Sequence, residues 1–95
     1  MNVEEHALRA AKARNIPVTD VVDAVHDRLT ERNIRMTNEL DAAIWVGTTE
    51  DGWRGGSNGD MVWAIIREGA LKTVMFRRDS QPATPAALRV KLVIA

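Results

Sequence analysis

The segment Met61–Arg78, MVWAIIREGALKTVMFRR, constrains this chain more than any other. Two β-prone runs, Met61–Arg67 and Leu71–Arg78, flank Glu68-Gly69-Ala70. A glycine between two such runs supplies the positive φ that a tight hairpin needs. A third run, Leu88–Ile94, alternates: Leu88, Val90, Leu92 and Ile94 face one way, and Arg89, Lys91 and Val93 the other. Between them Asp79–Pro85 carries two prolines, which exclude a central strand.

The first third reads as helix. Val3, Ala7, Leu8 and Ala11 form one apolar stripe over Val3–Arg14, with Glu4 and Glu5 in the first turn and Lys12 and Arg14 in the last, as the macrodipole favours. Asn15-Ile16-Pro17 ends it, because a residue preceding proline is pushed out of the α region. Thr19 is then the expected N-cap of a second helix over Asp20–Arg32, whose stripe is Val18, Val22, Val25 and Leu29. Val18 and Val22 are placed to form a hydrophobic staple across that cap. Asn33–Ala43 fits either strand or helix, and Ile44–Thr49 is β-prone. Glu50–Asp60 is a glycine-rich loop bearing Trp53 and Arg54. The expected fold is a single α+β domain over residues 1–95, with two N-terminal helices packed on one face of a three- to four-stranded antiparallel sheet.

Composition narrows the chemistry. The absence of cysteine excludes disulfides, a thiolate nucleophile and a cysteine-based zinc site. No apolar run approaches the roughly 20 residues of a membrane span, and the acidic, amphipathic start is unlike a signal peptide, so a cytoplasmic location is expected and no membrane partner. Charge is unevenly placed. Residues 1–52 hold 6 Lys/Arg and 10 Asp/Glu, net −4; residues 53–95 hold 7 and 3, net +4. The basic half is available to an anionic ligand or to the acidic half itself.

Strand parity sorts that basic half. Val74 and Phe76 are expected on the core face with Val62, Ala64, Ile66, Leu88, Val90 and Leu92, and Lys72 and Arg78 at the strand ends on that side. Thr73, Met75 and Arg77 point to the opposite face, joined by Arg89 and Lys91. Converging arginines bind phosphate bidentately and stabilise developing negative charge, the requirement of a metal-independent ribonuclease. A solvated strand face of alternating charge has the same pattern. His6, beside the first helical stripe, is the proton-transfer candidate, whereas His26 reads as a surface helix residue. Phosphate-loop, dinucleotide, GxSxG and HExxH patterns are absent, no cofactor or metal site is implied, and the aromatics do not form a base-stacking platform.

His6-Ala7 on a helix, Arg14-Asn15-Ile16 before a second helix, Val62–Ile66, the Glu68-Gly69 turn and Leu71–Arg78 with Thr73 together resemble a small domain-of-unknown-function family allied to the BrnT and RelE-like toxins. The resemblance spans most of the chain. It implies a fold akin to barnase, colicin and RelE-type ribonucleases, and an RNA-cleaving or RNA-binding role in toxin systems or mobile elements. By position, His6 matches the family histidine, and Thr73 and Arg77 lie on the matching strand.

Three functions are therefore expected to compete. An RNA-directed protein would use His6, Thr73 and Arg77 in catalysis and Lys72, Arg78, Arg89, Lys91 and Arg54 to hold RNA. A non-enzymatic interaction module, encoded by a phage or other mobile element, would dock a protein partner such as an antitoxin through the basic sheet face or the 48–60 loop, or pair with a second copy along the C-terminal strand edge. An immunity or antitoxin protein would cover a basic toxin with its acidic helices.

Overall fold

The computed structural model describes residues 1–48, 61–77 and 89–94, the side chains of 48, 61, 76 and 77 excepted. The described elements are β1 (Asn2–Val3), α1 (Glu5–Ala13), α2 (Val18–Glu31), β2 (Ala42–Thr48), β3 (Met61–Arg67), β4 (Ala70–Arg77) and β5 (Leu92–Ile94). The α+β class holds, but the sheet differs from expectation. It has five strands in the order β1-β4-β3-β2-β5 and it is mixed. β2, β3 and β4 are antiparallel, while β1 runs parallel to β4 and β5 parallel to β2. Two residues of β1 are too few to display a period of two, and Val3, expected to open the first helix, belongs to this strand. The C-terminal strand joins β2 instead of its sequence neighbour β4, and a parallel pair of that kind needs only a crossover of about a dozen residues or more.

Both helices end in the same way. Asn15 and Asn33 sit at φ 59° and 58° just beyond their helices. Ile16 N donates to Ala11 O at 2.9 Å and Asn15 N to Lys12 O at 3.0 Å; Ile34 N donates to Leu29 O at 2.9 Å and Asn33 N to Thr30 O at 3.0 Å. These are Schellman motifs, with asparagine accepting the left-handed conformation and an apolar residue following it back onto the core. The start of α2 departs from expectation. Pro17 is the N-cap, without a side-chain cap bond, and its carbonyl accepts from Asp20 N and Val21 N. Thr19 therefore lies inside the first turn, and the stripe turns by one residue to bury Val21, Val25 and Leu29, with Val18 and Val22 half-buried beside them. In α1 it is Ala7, Ala10 and Ala11 that are buried, while Leu8 is 45% exposed.

The main core lies between the helices and the sheet, where Val21, Val25 and Leu29 meet Ile44, Ile66 and Val74. The expected core positions Val62, Ala64, Ile66 and Val74 are there, and Leu92 packs against them; the Phe76 side chain and Leu88 lie outside the described residues. Val90 does not join this core and packs on the other side of the sheet. The hairpin turn is two residues long, Glu68-Gly69, at φ 52° and 72°, the positive pair that a type I′ turn requires. Gly69 N donates to Leu40 O at 3.1 Å, and a Cβ at Gly69 would stand 2.4 Å from Thr37 O. That close approach holds the 33–41 connection against the hairpin. Lys72 is an extra residue in β4, opposite the step between Ile65 and Ile66, so Leu71 and Val74 both reach the core. Among the described residues no helix is long and apolar enough to cross a membrane.

Candidate functional site

Both helices cover one face of the sheet, and the other face is built from alternate residues of β2, β3 and β4. Trp45 lies opposite Trp63, and Trp63 opposite Met75, so these three make one row across the strands. The next row is Ala43, Ile65 and Thr73, with Val93 of β5 beside Ala43. Ala43, Trp63 and Ile65 are buried, and Trp45, Met75, Val90 and Val93 pack around them half-buried. Cross-strand aromatic pairs of this kind stabilise a sheet by up to about 1 kcal/mol each. The face expected to be basic is thus apolar but for Thr73 at its described side chains. Arg89 and Lys91 are not on it: the strand begins only at Leu92, and Arg89, at φ 50°, takes the chain out of the extended region.

Two polar features mark this surface. The indole Nε1 of Trp63 is buried and has no hydrogen-bond partner among the described residues. At the rim, Arg28 reaches from α2 to β2. Its guanidinium carbon lies 4.9 Å from the centre of the Trp45 ring, its Nε donates to Trp45 O at 3.2 Å, and its Nη1 donates to Glu31 Oε2 at 3.4 Å. Stacking on the ring and capping the carbonyl hold Trp45 in place from two directions.

The residues expected to act together are dispersed. His6 is exposed on α1, the helix whose Ala7 and Ala11 enter the main core. Thr73 pairs with Ile65 on the opposite face, and its hydroxyl makes only a 3.5 Å local contact to Val74 O. The sheet stands between them, and proton transfer needs groups within hydrogen-bond reach of a common atom. Arg77 closes β4, but its side chain lies outside the described residues, as do Arg54, Arg78 and the 49–60 loop.

Lys72 and Arg67 are met by acids. Lys72 Nζ donates to Glu4 Oε1 at 2.5 Å. Arg67 Nη1 donates to Asp41 Oδ1 at 3.3 Å and to Arg89 O at 3.2 Å. Lys91 lines a cleft with Glu39, Asp41, Arg67 and Glu68, where three carboxylates offset two cations. An RNA backbone binds to cations that gain by releasing its counterions, and a mixed cleft offers little of that. Apart from the Trp63 indole, no polar or charged side chain is buried among the described residues, and none of them cluster in a way that would hold a metal ion.

Trp45, half-buried, and Trp63, buried, are the residues of this face that sequence reasoning does not single out. Their signal was present: Trp63 alternates with Val62 and Ala64, so the parity that sends those two to the core sends Trp63 to the other face. Comparison of the chain with protein-family models, with characterised proteins and with solved structures finds no match.

Proposed function

We propose that this protein is a non-enzymatic interaction module that docks a protein partner on the helix-free side of its sheet. The observation that carries this reading is the half-buried set Trp45, Met75, Val93 and Val90, which packs around the buried Trp63 on the face that neither helix covers. Tryptophan and methionine are enriched, and charged residues depleted, at the centres of protein interfaces. Wide two-χ aromatics give much contact for little lost conformational freedom, and methionine adapts to an irregular partner surface. The separation of His6 from Thr73 across the sheet supports the same choice, since it leaves the residues of the RNA-cleaving reading without a common substrate position.

The RelE/BrnT-like resemblance keeps an RNA-directed role as the competitor, and one experiment separates the two. Purified protein is incubated with labelled total RNA in EDTA, beside an Arg77→Ala control. The expected result is intact RNA with no salt-dependent gel shift. Discrete cleavage that disappears in Arg77→Ala would overturn the interaction-module reading and restore a metal-independent ribonuclease.

A further inference from the structure

The helical side of the molecule carries a groove of about 330 Å³ at the corner where α1 gives way to α2. Ala11 and Ile16 are buried beneath it, Val18 is half-buried, and Leu8 is exposed at its rim. The corner that shapes it is stiff. Ile16 N donates to Ala11 O at 2.9 Å, and the ring of Pro17 fixes the next φ at −61°. A groove that needs no rearrangement costs little to fill. Lys12 stands one turn beyond Leu8 on the same side of α1, exposed, and of the described residues lining the groove it alone is charged. Its neighbours at i−4, i−3, i+3 and i+4 are Leu8, Arg9, Asn15 and Ile16, so α1 places no acid within its reach. The two acids at the start of that helix are engaged elsewhere, Glu4 with Lys72 and Glu5 with Arg9.

An exposed ammonium beside an apolar groove matches a ligand that carries a carboxylate next to a hydrocarbon group. The two must lie close together, because one helical turn spans only about 5.4 Å. A residue with an aliphatic side chain carries a carboxylate only at the end of a chain. We infer that this groove captures the C-terminal residue of a partner protein, one with a leucine, isoleucine or valine side chain. The carboxylate meets Lys12 Nζ, and the side chain lies against Leu8, Ile16 and Val18. Capture of a terminal carboxylate is a recurring mode of peptide recognition. A free amino acid is disfavoured, since its ammonium would enter beside Lys12. The inference goes beyond the docking reading, because the groove shares no residue with the Trp45 and Met75 face.

Proton–nitrogen correlation NMR of the full chain, titrated with the tripeptide N-acetyl-glycyl-seryl-leucine, tests it. Saturable shifts are expected at the amides of Lys12, Asn15, Val18 and Thr19, with a Kd of roughly 1 mM or tighter. The same tripeptide closed by a C-terminal amide should bind about fivefold more weakly, the worth of one exposed charge pair. Lys12→Gln should weaken the free acid by the same factor and leave the amide form unaffected, while Leu8→Ser should weaken both. Both positions are exposed, so neither variant disturbs the core. Equal binding of acid and amide, unaltered acid affinity in Lys12→Gln, or no saturable shift at the α1–α2 corner would overturn the inference. Isovalerate binding as tightly as the tripeptide would overturn it as well, by assigning the groove to a small carboxylic acid. None of these outcomes bears on Trp45 and Met75, so the docking reading stands or falls separately.

Discussion

At the scale of single residues, backbone conformation and unpaired donors decide most. Gly69 combines φ +72° with Thr37 O at 2.4 Å from where a Cβ would stand. Gly69→Ala therefore meets both the left-handed penalty of about 1–2 kcal/mol and a backbone clash. A drop in Tm of at least several degrees in a thermal melt is expected, and an unchanged Tm would show that the turn relaxes freely. Trp63 presents the opposite case. Its indole N–H is buried without an acceptor, a state that costs about 1–3 kcal/mol. Trp63→Phe removes the donor but leaves a void, and the two effects oppose each other. The urea midpoint should move far less than for Trp63→Ala, for which the loss is about 3–5 kcal/mol. Asn15 and Asn33 could be read from sequence only as helix ends; that both adopt positive φ follows from their short side chains, which tolerate the left-handed region.

At the scale of elements, long periodic segments were legible and short or inserted pieces were not. The hairpin strands β3 and β4 are legible to within a residue, because each is a β-prone apolar run and the Glu68-Gly69 turn separates them. β1 is not legible because two residues carry no period, and the strand expected over Leu88–Ile94 omits Arg89, Val90 and Lys91 because Arg89 breaks it with a positive φ that its residue type does not announce. Lys72 is an extra residue in β4, and such a bulge is invisible until the partner strand is known. Its pairing with Glu4, the residue after β1, ties that end of the chain to β4. Both side chains are about a third exposed, 33% and 39%, so water screens the pair and its contribution to global stability is under about 1 kcal/mol. Glu4→Gln should accordingly leave Tm almost unchanged while speeding amide exchange at Val3 and Glu4. Unaltered exchange there would mean that the strand is held by its backbone bonds alone.

At the scale of the whole molecule, two helices close one side of a five-stranded mixed sheet, and the other side ends in tryptophan, methionine and valine. The layer architecture was legible from the order of helical and strand periods. The site was not, because it depends on which residues three strands bring into one row, and on the sheet that separates His6 from Thr73. A basic strand in the sequence became, in three dimensions, an apolar row with its described cations paired to acids or displaced to the sheet end. The measurement that tests the docking reading most directly is hydroxyl-radical footprinting of the protein in a nuclease-treated lysate of its source cells, against the purified protein. The expected result is reduced oxidation of Trp45 and Met75 in the lysate, with exposed Leu8 and Met1 unaffected. Equal oxidation of Trp45 and Met75 in both, or protection that appears only when nuclease is omitted, would contradict a protein partner on this face.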